Sequence, residues 1–116
     1  MTFEQLVKAQ WKDYGARHRD KVNLLIHIIA VPLFWIGTFS GISELLFSGL
    51  LDALCGVVLV AGSIIAQGLG HEREAIQPLP YTHLWDFVRR ILAEQFINFP
   101  RFVFSGEWWE RYSSAR

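Results

Sequence analysis

Apolar and polar positions alternate along this chain in four textures, and each texture predicts an element. From Phe3 to Tyr14 the residues Phe3, Leu6, Val7, Gln10, Trp11 and Tyr14 fall on one side of a 3.6-residue period, which predicts an amphipathic helix. Thr2 is placed to cap it and Gly15 to stop it. Such a helix would lie on a membrane surface or pack beneath a bundle. Two long apolar runs follow, Leu24–Ser43 and Leu50–Leu69. Each holds twenty residues, which at about 1.5 Å per residue span about 30 Å, the thickness of a bilayer's hydrocarbon. Pro32 should kink the first run and free a carbonyl. Gly56, Gly62, Ser63 and Gly68 in the second are small enough to let another helix come close.

The fourth texture is mixed. "HEREAIQPLPYTHLW" is turn-rich, and Pro78 and Pro80 exclude a helix there. A helix should restart near Thr82, with Leu84, Trp85, Val88, Ile91, Leu92 and Phe96 on its apolar face, and Pro100 should break it. The stretch 84–104 is long enough to span. It carries Arg89, Arg90, Glu94 and Arg101, however, so an interfacial helix or one docked on the bundle is the expectation. Trp108, Trp109 and Tyr112 suit the headgroup level of a bilayer. The fold class is therefore all-α: a small helical membrane protein, an antiparallel transmembrane hairpin with amphipathic N-terminal and C-terminal helices, forming one domain over residues 1–116.

Charge adds an orientation. Formal net charge is zero, and no basic patch interleaves with aromatics, so nucleic acid is not an expected partner. Residues 24–70 contain no Lys or Arg, whereas both flanks are rich in them. Under the positive-inside rule this predicts a multi-pass membrane protein with both termini cytoplasmic and the Glu44–Asp52 connection opposite. The first twenty residues are polar and lack the apolar core of a cleavable signal. The single Cys55 excludes an intrachain disulfide and a thiolate zinc site, and its apolar neighbours make it a packing residue.

Within the apolar runs a few polar residues stand out. His18 precedes the first run, His27 lies inside it, and His71 ends the second. An antiparallel hairpin brings all three to one depth. Asn23 is four residues before His27, Gln67 four before His71, and Glu74 three after it, spacings that share a helical face. Neutral imidazoles with a carboxylate suit Fe(II), Zn(II) or Mn(II), and amides can orient the rings. The bland alternative is interfacial histidines bonded to carbonyls. His83, after two prolines, reads as a loop residue, Glu72 and Arg73 as solvated, and Glu44 and Asp52 as markers of the far turn.

Two stretches resemble one family. "HRDKVNLLIHIIAVPL" (His18 to Leu33) has His, four residues, Asn, three residues, His, then Pro-Leu; "QGLGHEREAIQP" (Gln67 to Pro78) has Gly-His, two residues, Glu, three residues, Pro. Together they resemble the signatures of the fungal 2-hydroxy fatty acid dioxygenase family of phytosphingosine breakdown, whose short bacterial members were long filed as a domain of unknown function. The resemblance covers roughly residues 10–110. Departures occur at Ala30 or Val31, where that family usually has a Gly, and at Ile76, Gln77 and Leu79.

The resemblance implies an Fe(2+)-dependent dioxygenase of lipid metabolism that shortens a 2-hydroxy fatty acid by one carbon, with dioxygen as co-substrate. His18, His27 and His71 would be metal ligands. Glu74 would be a fourth ligand or an acceptor that orients a histidine. Asn23 and Gln67 would hold ligands or the substrate head, and the acyl tail would lie along the hairpin. The competing expectation is a non-catalytic membrane hairpin, whose polar cluster is interhelical glue. A homo-oligomer is compatible with either.

Overall fold

The structure, a computed structural model, describes residues 1–115. Helix α1 (Phe3–Lys12) starts where expected: the Thr2 hydroxyl accepts from Gln5 N while the Gln5 side chain accepts from Thr2 N, a reciprocal capping box. It ends before Gly15, and a short 3₁₀ turn, Gly15–Arg17, leads to His18. Helix α2 (Lys21–Phe47) opens on Asp20, whose carboxylate caps Asn23 N, and runs unbroken through Pro32. Helix α3 (Leu50–Glu72) returns antiparallel after a turn at Ser48 and Gly49. Gly49 has φ of 126°, a conformation open to glycine and strained for other residues.

Glycine also explains how closely α2 and α3 pack. A Cβ on Gly56 would sit 2.5 Å from the Gly37 carbonyl oxygen and 2.6 Å from Gly41 Cα. Further along, Ser63 Oγ donates to the Ala30 carbonyl at 2.6 Å, and a Cβ on Gly70 would strike the Asn23 side chain. Gly62 and Gly68, expected to share this role, face open space. Both helices are long and apolar enough to cross a membrane. Their outer faces leave Ile29, Ile36, Phe39, Leu51, Val58 and Ile65 exposed.

The rest of the chain gathers at the end of the hairpin where α2 begins and α3 finishes. Helix α4 (Leu84–Ala93) passes into a π-turn, Glu94–Asn98, then into α5 (Phe99–Phe104); α6 (Glu107–Ser114) follows Gly106. The expected break at Pro100 does not occur. Pro100 falls in the first turn of α5, where a missing N–H costs little. The C-terminal helices dock on the hairpin through a core of Tyr14, Leu24, Val31, Phe99 and Phe102. Trp108 donates its indole N–H to the Leu24 carbonyl at 3.0 Å. Helix α1 is tied in by Gln10, which donates to the Arg90 carbonyl and accepts from Asn98.

Candidate metal centre

Three elements deliver three imidazoles to one point. His18 comes from the loop before α2, His27 from the second turn of α2, and His71 from the last turn of α3. Their ring centroids are 4.7 to 5.0 Å apart and the planes nearly perpendicular, at 79° to 88°. The fourth group is a carboxylate from the π-turn. Glu94 Oε1 lies 3.5 Å from His18 Nε2, 3.4 Å from His27 Nε2 and 3.6 Å from His71 Nε2.

Hydrogen bonding fixes which nitrogen of two rings faces the centre. His18 Nδ1 is 2.7 Å from the Tyr14 carbonyl, and His27 Nδ1 is 3.0 Å from the Asn23 carbonyl. A carbonyl only accepts, so each Nδ1 carries the proton and each Nε2 keeps its lone pair. The Nε2 atoms of His18 and His27 are buried with no hydrogen-bond partner among the described residues. A carboxylate cannot satisfy a lone pair, and buried polar atoms left unpaired are costly. One ligand atom from each of His18, His27, His71 and Glu94 lies within 4.8 Å of the others, and this group could hold a metal ion. Metal–ligand bonds of about 2.1 Å place tetrahedral ligands about 3.4 Å apart, the spacing between Glu94 and each imidazole.

Electrostatics agree with that donor set. Burial pushes His18 down, toward the neutral ring, despite the pull of Glu94. Tyr14 adds a donor, its hydroxyl 3.4 Å from Glu94 Oε1, and its ring stacks on His18 at 3.9 Å. Burial first, and the Glu94 charge second, raise the Tyr14 phenol well above its ordinary value, so it stays protonated.

The carboxylate at the centre is therefore Glu94 and not Glu74. Helix α3 ends at Glu72, so Glu74 no longer follows the helical spacing from His71. Its carboxylate accepts instead from the backbone N–H groups of Arg19 and Asp20 and from Asn23 Nδ2. It anchors the chain between His18 and α2 and bonds to no histidine. Asn23 serves the centre through its main-chain carbonyl, while its side chain is turned to Glu74. Gln67 does not reach the histidines by hydrogen bond either. Its amide is consumed by Ser63 and by Gln95, the neighbour of Glu94. His83 caps α4, accepting from Asp86 N, and Arg73 pairs with Asp20 at 2.8 Å.

Glu94 escaped the reading of the sequence because it sits among Arg89, Arg90 and Arg101. The available signal was its place one turn after Ile91, at the margin of the apolar face, beside the uncharged polar residues Gln95 and Asn98. No family model, curated protein or solved structure matches this chain.

Proposed function

We propose that the chain is a membrane-embedded, Fe(II)-dependent dioxygenase that removes one carbon from 2-hydroxy fatty acids. The observation that carries this reading is the convergence of three imidazole Nε2 atoms on one oxygen of Glu94, two of them buried and unpartnered. An all-nitrogen and oxygen donor set without thiolate suits ferrous iron. The two signatures from His18 to Leu33 and from Gln67 to Pro78 support the reaction class. The exposed apolar faces of α2 and α3 support membrane insertion, and the base-free middle supports cytoplasmic termini.

The overall reaction balances without an external reductant: a 2-hydroxy acid and dioxygen give the acid shorter by one carbon, carbon dioxide and water. Bound Fe(II) supplies the one-electron chemistry that lets dioxygen react with a closed-shell acid. The chain's own residues do the remainder. The Tyr14 and Asn23 carbonyls hold the His18 and His27 rings in their lone-pair-inward tautomers. The Tyr14 hydroxyl steadies Glu94. Phe99 and Phe102 pack against the His27 and His18 rings and keep water from that side.

Anaerobic purification with Fe(II), metal analysis, and oxygen uptake on 2-hydroxy acids of several lengths test the proposal. Iron near one per chain is expected, lost in His27→Ala, with oxygen uptake and release of carbon dioxide. Folded, iron-bearing protein that consumes no oxygen with any such acid would overturn the enzymatic reading.

A further inference from the structure

Resting on the metal-centre reading, the geometry points to where a substrate lies. A cavity of about 360 Å³ reaches His18, His71 and Glu94 from outside, between α1, residues 78–82 and α4. That volume is within the range of small-molecule sites. A second apolar cavity, between α2 and α3 near Ile29, Leu33 and Val58, touches none of the four clustered groups. Of these two cavities the first alone touches the clustered groups.

The first cavity has two distinct ends. Its inner end is polar, formed by Tyr14, His18, His71 and Glu94. His71 Nδ1 is buried without a hydrogen-bond partner among the described residues. Its outer walls carry Leu6 and Ala9 from α1 and Pro78, Leu79 and Tyr81 from the other side, with Asp13, Arg17, Asp86 and Arg90 also in the lining. The second wall is a strap without secondary structure that is nonetheless fastened. Arg90 donates to the Leu79 carbonyl at 2.7 Å and to the Pro80 carbonyl at 3.1 Å, and stacks on Tyr81 at 4.2 Å. Arg17 donates to the Gln77 carbonyl. Leu79 in the wall is exposed, as are Ile76, Leu84 and Trp85 close to it in the chain, apolar surface suited to the membrane interface.

We propose that this cavity takes a single-chain acyl amphiphile, head inward at His71 and Glu94, tail leaving past Leu6 and Leu79 into lipid. Arg17 and Arg90 also line the cavity, held by the strap's carbonyls and by Asp13 and Asp86; the head is placed at the inner polar end, beside the clustered groups.

Photo-crosslinking of the full chain in lipid nanodiscs tests this, using octadecanoic acid with a diazirine on the carboxyl-side half of its chain, the part the cavity would hold. Adducts are expected on α1 near Leu6 and Ala9 and on the strap near Leu79, competed away by excess 2-hydroxyoctadecanoic acid. Ala9→Trp fills the cavity from an exposed helix position, and Leu79→Asp makes its rim polar. Each should cut the competed adducts by about tenfold while metal content, read by elemental analysis, stays that of the wild type. Competed adducts confined to α2 and α3, or unchanged in both variants, overturn the proposal. Wild-type protein that binds no metal would sink the metal reading separately, because the labelling pattern is read without it.

Discussion

Gln67 and Gln95 hold each other by two hydrogen bonds: Gln67 Nε2 donates to Gln95 Oε1 at 3.0 Å, and Gln95 Nε2 donates to Gln67 Oε1 at 2.7 Å. The pair ties the last turns of α3, which carry His71, to the π-turn that carries Glu94. The Trp35 indole adds a third tie, donating to the Gln95 carbonyl at 2.7 Å. A π-turn is a sparsely used conformation found often at functional sites. Here these bonds hold it where the carboxylate meets the rings.

Breaking that tie should weaken metal binding more than folding. Gln67→Leu or Gln95→Leu is expected to lower metal affinity by about tenfold, the scale for residues that orient ligands. The double variant should be less than additive, because Gln67→Leu strands the Gln95 amide, Gln95→Leu strands the Gln67 oxygen, and the double change strands neither. Competition titration against a chromophoric chelator reads both. Additive losses would show that the two amides act separately.

The two carboxylates should separate cleanly. Glu94→Ala is expected to abolish stoichiometric metal binding. Glu74→Ala removes the acceptor for two backbone N–H groups and Asn23, and should destabilise the protein by about 1–3 kcal/mol while a weaker metal site persists. Thermal unfolding in detergent alongside elemental analysis distinguishes them. The reverse pattern would return the ligand role to Glu74.

Metal removal should reveal the burden of the unpartnered lone pairs. Saturation at one hundred times the dissociation constant stabilises by about 2.7 kcal/mol. A chelator should therefore lower the unfolding temperature of the wild type and leave that of His27→Ala or His71→Ala unchanged. Equal shifts in all three would point to a metal bound elsewhere.

The hairpin's glycines should differ sharply. Gly56→Ala forces a Cβ against Gly37 and Gly41 and is expected to cost about 1–3 kcal/mol as the helices part. Gly62→Ala and Gly68→Ala meet nothing within 4 Å and should be neutral or gain up to about 1 kcal/mol from helix propensity. Unfolding of the three variants in one detergent gives the comparison directly.

Much of the architecture was legible along the chain because it depends on local pattern. Apolar runs of membrane length predict α2 and α3, a glycine fits the turn between them, and Thr2 predicts the start of α1. Antiparallel pairing alone then places His18, His27 and His71 at one depth, and the structure brings them together. The fourth group was not legible. A spacing of three residues puts Glu74 near His71 only if the helix continues, and α3 stops at Glu72. Where Glu94 points depends on an extra residue in the π-turn, on Gln67 reaching Gln95 and on α1 bracing α4 through Gln10. Those are contacts between segments dozens of residues apart, and no periodicity encodes them. The sequence determined the rods and the three rings; packing between distant segments decided which carboxylate completes the group and from which side a ligand can reach it.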